Sequence, residues 1–384
     1  MKATSQTIRH CDATSGSPNS EALHSRSVKS PEPHTRETGS GGLRTCLTSL
    51  LVCVTVALTA CGINGPQPPR ATSSTPAVDL CADTLQPVPA GVTNGKLVST
   101  INQGRILIGI GLAGVGTIAL AYVDAGGLHV VPMEDDGTLA NADWAPDGTI
   151  GFDSGRAGGR HLFRIGSDGK GLTQITKEAG TAEEGVSFSP DGRRIAYAHG
   201  SCVEERDFGI QVAKADGSSP VALNKPFPLH SSAGENGAAF SPDGKSVAFV
   251  RSVDENHGAV WVVPAAGGEA RRLTSDDFGA ATPRWSPDGK QILFGGQWSA
   301  GVEDHSLWVV QAAGGEPRRL FKRDPAIWEL EGDWSPDGSQ IVFGTFTPAW
   351  DHDEVWIAAA DGTHERTLWV GGKSSGGGPP HWGP

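Results

Sequence analysis

Positive charge is scarce in this 384-residue sequence: 31 Lys and Arg stand against 43 Asp and Glu, a formal net charge of −12. A nucleic-acid-binding protein displaces counterions with a basic stripe, and no stretch of the chain supplies one, which excludes nucleic acid as a partner. Charged residues of both signs reach only 19%, beside 53 Gly and 26 Pro. That balance argues against helices with ion-paired faces and for many short strands joined by tight turns. Long apolar runs are missing too. The stretch Leu47–Ala60 has the length of a signal-peptide core and falls short of a membrane span. Catalytic signatures are equally thin: there is no Cys-x-x-Cys pair, no His-Glu-x-x-His and no phosphate loop.

What is present begins with an address. Residues 1–43 are rich in Ser, Thr, Pro and Gly without apolar periodicity, and read as disordered or as an over-extended gene start. Residues 44–61 open with Arg44, run through the apolar core and end in Leu58-Thr59-Ala60-Cys61-Gly62. This ending resembles the lipobox of bacterial lipoproteins, in which small residues before the Cys admit the signal peptidase and the thiol takes a diacylglycerol. The resemblance implies export, with acyl chains on Cys61 holding the chain to the outer surface of the cell membrane. Residues 62–95, with Pro66, Pro68 and Pro69, read as a flexible spacer. Of the six Cys, Cys11, Cys46 and Cys53 fall before or within the signal and Cys61 would take the lipid, which leaves Cys81 and Cys202 either as a disulfide or as two thiols, since export permits the bridge.

From residue 96 to 384 the sequence repeats. Trp or Phe followed by Ser/Ala-Pro-Asp-Gly recurs at Trp144, Phe188, Phe240, Trp285 and Trp334, spaced 44, 52, 45 and 49 residues apart, the period of one four-stranded propeller blade. The third copy shows the grammar. Pro242 presets φ for a turn, Asp243 bonds to nearby backbone and Gly244 closes it. Ser246–Val250 and Ala259–Val263 then read as strands, and Ala270–Thr274 as a charged outer edge strand. Trp144, Trp261, Trp285, Trp308, Trp334, Trp356 and Trp382 fall at repeat-equivalent positions and are expected in the core.

This pattern resembles the TolB-type propeller repeat, also called the WD40-like or PD40 repeat, over roughly residues 95 to 384. The resemblance implies an all-β propeller with a central channel. Six blades follow from the ends. Pro380-His381-Trp382-Gly383-Pro384 matches the start of a repeat with no blade after it, whereas Gly104–Met133 supplies strands with no aromatic-Pro-Asp-Gly copy ahead. Pairing the C-terminal strand with the N-terminal blade completes a six-bladed ring of four-stranded antiparallel sheets and removes the open edge.

Gly109-Ile110-Gly111-Leu112-Ala113-Gly114 matches the dinucleotide fingerprint, but a strand follows where a helix is required, so no nucleotide is expected. A serine hydrolase would set its nucleophile on a strand-to-helix elbow in an α/β body, and the chain offers no such body. One constellation remains. Asp254 and His257, Asp304 and His305, and Asp351, His352 and Asp353 are expected in loops between second and third strands, on one face of the disc. Glu204, Glu205 and Asp207 fill the corresponding loop of the second repeat, and Trp298, Trp328 and Trp350 lie in or near the same loops. Acidic and aromatic groups together suit a protein, peptide or glycan of the cell envelope. The leading expectation is therefore a non-enzymatic, anchored binding module without cofactor. The alternative is a lyase or hydrolase acting on extracellular carbohydrate with a divalent metal held by His257, His305 and His352.

Overall fold

The computed structural model describes residues 95–111, 118–133, 138–201, 208–224, 234–254, 256–299, 302–323, 327–347, 352–371 and 380–384. These form six antiparallel sheets. Each inner strand touches that of the next blade, and the last touches the first, so the six enclose a central channel. Among the described residues the sole helical element is a 3-10 turn, Asp276–Phe278, and no helix is long and apolar enough to cross a membrane.

The repeat motif sets each blade. Blade 4 runs Glu235–Phe240, Ser246–Ser252, Gly258–Pro264 and Arg271–Arg272, from the channel outward. Its first turn is held as the sequence predicts, with Gly244 at φ 69° and the Lys245 N–H donating to Asp243 Oδ1 at 3.0 Å. The Ser of the motif adds a bond that sequence reading passed over: Ser241 Oγ accepts the Ser246 N–H at 3.0 Å and donates to Asp243 at 2.7 Å. Ser189, Ser286 and Ser335 repeat this arrangement, while Ala145 of blade 2 cannot.

The core is divided into six wedges, one at each junction between blades. The second strands supply the aromatics Phe152, Tyr197, Phe249, Phe294 and Phe343, all essentially inaccessible. Trp144, Trp334 and Trp382 are buried as expected, but Trp261, Trp285, Trp308 and Trp356 are only half-buried against the wedges, whereas Trp369, outside the repeat-equivalent set, is fully buried. Part of the reason is cationic cover: the Arg251 guanidinium lies 4.4 Å from the ring of Trp261 and that of Arg323 4.5 Å from Trp356.

The ring closes at both ends of the described chain. His381–Gly383 pairs with Arg105–Gly111 and becomes the inner strand of blade 1, as expected. In addition Gly95–Leu97 pairs with Arg366–Gly371 as a fifth, outermost strand of blade 6. Gly95 lies on the indole of Trp369, where any Cβ would meet the ring. The outer strand Ala270–Thr274 shrinks to Arg271–Arg272, because Leu273 turns into the wedge between blades 4 and 5.

Candidate functional site

Inner strands are built to turn side chains into the channel. In each of blades 2 to 6 the pairing of first and second strands slips just before the motif aromatic, three inner residues spanning two of the partner, which is a β-bulge. Gly185 and Gly237 take the left-handed backbone this needs at φ 65° and 64°, and blades 2 and 5 place Asn141 and Thr282 there at φ 45° and 37°. A β-branched residue at positive φ is strained, which marks the blade 5 bulge.

After the bulge, the residue before the aromatic faces the axis. In blades 1, 2, 5 and 6 it is His381, Asp143, Arg284 and Asp333. Arg284 Nη1 reaches Asp143 Oδ2 on the opposite blade at 3.2 Å, and its Nη2 donates to His381 Nε2 at 3.2 Å. His381 therefore carries its proton on Nδ1, which points toward Asp333 Oδ2 at 3.8 Å. All four side chains are at most 16% exposed, so the relay crosses a largely dry channel. Glu331 stands beside it, its carboxyl raised by burial against the opposing pull of His381 and Arg284.

A second set lies at the other end of the inner strands, on the face that carries the hairpin loops. Five residues before the motif aromatic stand Glu183, Glu235 and Glu329, each almost fully buried. Each reaches back to the preceding blade: Glu183 to His161 Nδ1 at 2.7 Å, Glu235 to the Ile210 N–H at 3.2 Å, Glu329 to the Leu307 N–H at 2.8 Å. Burial alone would raise the Glu183 carboxyl, but hydrogen bonds from His199, His161 and Thr181 outweigh it and hold the group below the ordinary range. The same contact raises His199 against its own desolvation. These hooks escaped sequence reasoning, although a Glu at a fixed offset from the aromatic was there to be read.

The sequence-predicted residues are distributed more widely than expected. Asp254 and His257 do share a loop, His257 Nδ1 lying 2.8 Å from Asp254 Oδ1, and both are half exposed. Asp304, His305, His352 and Asp353 are corrected from loops to strands, because the hairpins of blades 5 and 6 are longer than the motif suggests. Gln291–Ser299 pairs with Val302–Gln311, which puts Trp298 in a strand opposite Glu303, and Gln340–Thr347 pairs with His352–Ala359. Cys61, Cys81, Cys202, Glu204, Glu205, Asp207, Trp350 and Asp351 lie outside the described residues. So does Gly372-Lys373-Ser374-Ser375-Gly376, a match to Gly-x-Ser-x-Gly that sequence reading overlooked, with strands on either side of the undescribed stretch.

Two predicted residues are brought together. In the blade 5 hairpin Asp304 and His305 oppose the single residue Gln297, and this bulge sets the His305 ring on the indole of Trp328, the first residue of blade 6, at 4.2 Å between centroids. Phe346 packs beside Trp328 at 5.8 Å. Among the described residues no three His, Cys, Asp or Glu side chains converge as metal ligands.

No family model matches the chain. Over 111 residues it is 32% identical to Uncharacterized peptidase YuxL of Bacillus subtilis (strain 168), a stretch that covers 28% of this chain and 16% of that relative, well under two thirds of its length. Among solved structures, TolB from Acinetobacter baumannii aligns at a TM-score of 0.59 and 19% identity, over 73% of this chain and 67% of that one. A chain of the Nidogen/Laminin complex aligns at 0.55 and 13% identity, over 73% and 99%. These likenesses are to fold: the chain is a TolB-like six-bladed propeller.

Proposed function

We propose that this protein is an exported, membrane-anchored binding module. A lipid on Cys61 would hold it to the outer surface of the cell membrane, the residues from 62 up to the strand at Gly95 would space it from the bilayer, and the face bearing Trp328 and His305 would hold a protein, peptide or glycan of the cell envelope. The observation that carries this reading is the His305–Trp328 stack, which joins blades 5 and 6 at the start of an inner strand. Aromatic surface fixed on a closed, rigid scaffold, with the half-exposed carboxylate of Asp254 in a hairpin loop of the same face, is what a preorganised docking face requires. A propeller of similar fold in the Nidogen/Laminin complex lends support to a partner-holding role. The Arg284–Asp143 pair spans the channel, which favours binding at its mouth over passage through it.

The experiment is in-cell photo-cross-linking with a photoreactive residue at position 305 or 328, and at Lys245 on the opposite face as control. A discrete envelope adduct from 305 and 328 alone supports the reading. Equal labelling from position 245, or no adduct from either site on the stack, would overturn it. Anchoring has its own readout: labelled fatty acid should enter the wild type and be absent from Cys61→Ala.

A further inference from the structure

Glu183, Glu235 and Glu329 occupy one position in three blades, yet their charges are met differently. Glu235 accepts from Arg251 Nη2 at 2.6 Å, from Arg251 Nε at 2.8 Å and from Asn224 at 2.7 Å. Glu183 has His161, His199 and Thr181. Glu329 has the Leu307 N–H and no other hydrogen bond: its Oε1 is without a partner, and Arg323 Nε stays 3.8 Å away. That guanidinium is ion-paired with Glu365 of blade 6 and lies over Trp356. Arg319 and Glu365 are the other charged groups that act on Glu329. Buried to 2% exposure with so little compensation, the Glu329 carboxyl is pushed up to about 7, so it changes charge across neutrality.

Its position gives that titration a consequence. Leu307 lies two residues along the strand from His305, and Trp328 directly precedes Glu329. One carboxyl therefore ties the blade 5 hairpin to the strand that carries the stack. We infer that Glu329 is a pH-graded latch that sets how firmly the blade 5 hairpin, and with it the His305–Trp328 surface, is held for a partner. The surface's role rests on the docking reading above; the latch itself does not. The closed junction binds the proton more tightly than the open one, because opening returns the carboxyl to its ordinary value near 4.5. Latching is therefore complete below that value and weakens as pH rises toward and through about 7.

Hydrogen exchange of the full chain at pH 6 and pH 8, corrected for intrinsic rates, tests this without any partner. The opening equilibrium of Val302–Gln311 is expected to grow roughly tenfold between them, since one pKa unit is a factor of ten. Gly258–Pro264, paired with the strand whose Arg251 holds Glu235 in an ion pair, is expected to stay flat. In Glu329→Gln the dependence at Val302–Gln311 should vanish. A second variant, Glu365→Gln, frees Arg323 to approach Glu329 and should move the transition to lower pH even if Glu329→Gln fails to fold. A pH-independent Val302–Gln311, a dependence retained in Glu329→Gln, or an unmoved transition in Glu365→Gln would sink the latch. Cross-linking that fails while exchange behaves as described would sink the docking reading and leave the latch standing.

Discussion

Arg284 ties three blades together in the channel, because it meets a carboxylate on the opposite blade and a His on the inner strand of blade 1 at once. Neutralising it in Arg284→Met leaves Asp143 as a mostly buried charge without its partner, which should cost about 3 kcal/mol in urea unfolding. Adding Asp143→Leu removes the stranded charge and should restore most of the loss, so the double-mutant cycle reads the coupling itself. Additive losses would mean that the channel is wet enough to screen the pair. The neighbouring strain has the opposite sign. Thr282 holds φ 37° where blades 3 and 4 use Gly, and its hydroxyl is set against the Glu331 carboxyl. Thr282→Gly should therefore stabilise the fold by about 1 kcal/mol. A loss instead would show that the hydroxyl is held by Glu331 strongly enough to outweigh the backbone. None of this was legible beforehand. Asp143 and Arg284 are 141 residues apart, and simple strand alternation does not reveal which inner residue a bulge turns to the axis.

At the scale of the element, the turn and the two strands after it could be read almost to the residue. Ser246–Val250 and Ala259–Val263 appear as Ser246–Ser252 and Gly258–Pro264, since turn chemistry and β-branched composition act locally. The hooks between blades were not read, because each Glu alone carries no local signature and the signal lies only in its offset from the aromatic, repeated in three blades. The junction of blades 2 and 3 should behave unlike the one at Glu329. Glu183 is held below its ordinary value, so its contribution is present above about pH 4.5 and is lost as pH falls through the lowered value. His199 is raised above 6.5, so its contribution is complete below that pH and is lost as pH rises through the raised value. Together they give a junction tightest in mildly acidic solution that loosens on both sides. Glu183→Gln should flatten both limbs of the melting temperature against pH. If only the acidic limb flattens, His199 draws its stabilisation from elsewhere.

For the whole molecule, ring closure is the property on which the other features depend, since a relay across the channel needs opposite blades held at fixed separation. The count of six and the closing strand were readable from a repeat that begins at one end of the sequence and finishes at the other. The added outer strand Gly95–Leu97 was not, because three residues carry too little pattern to read. Trp382 secures the seam. It is buried, its backbone N–H donates to Asp333 Oδ2 at 3.1 Å, and its indole N–H donates to the Gln103 carbonyl at 3.2 Å. Gln103 in turn bonds Asp337 in the blade 6 turn and helps hold that carboxyl well below the usual range. Trp382→Ala should lower stability by about 3 kcal/mol without promoting self-association, because the strand backbone still covers the edge. Deleting residues 380–384 removes that cover as well. Arg105–Gly111, with Ile106, Ile108 and Ile110, would then present an open apolar edge, and light scattering should report concentration-dependent self-association. A deletion that melts like Trp382→Ala and does not self-associate further would show instead that the sheet of blade 1 is protected without its inner strand, and that the side-chain wedge between blades 6 and 1 suffices to keep the ring shut.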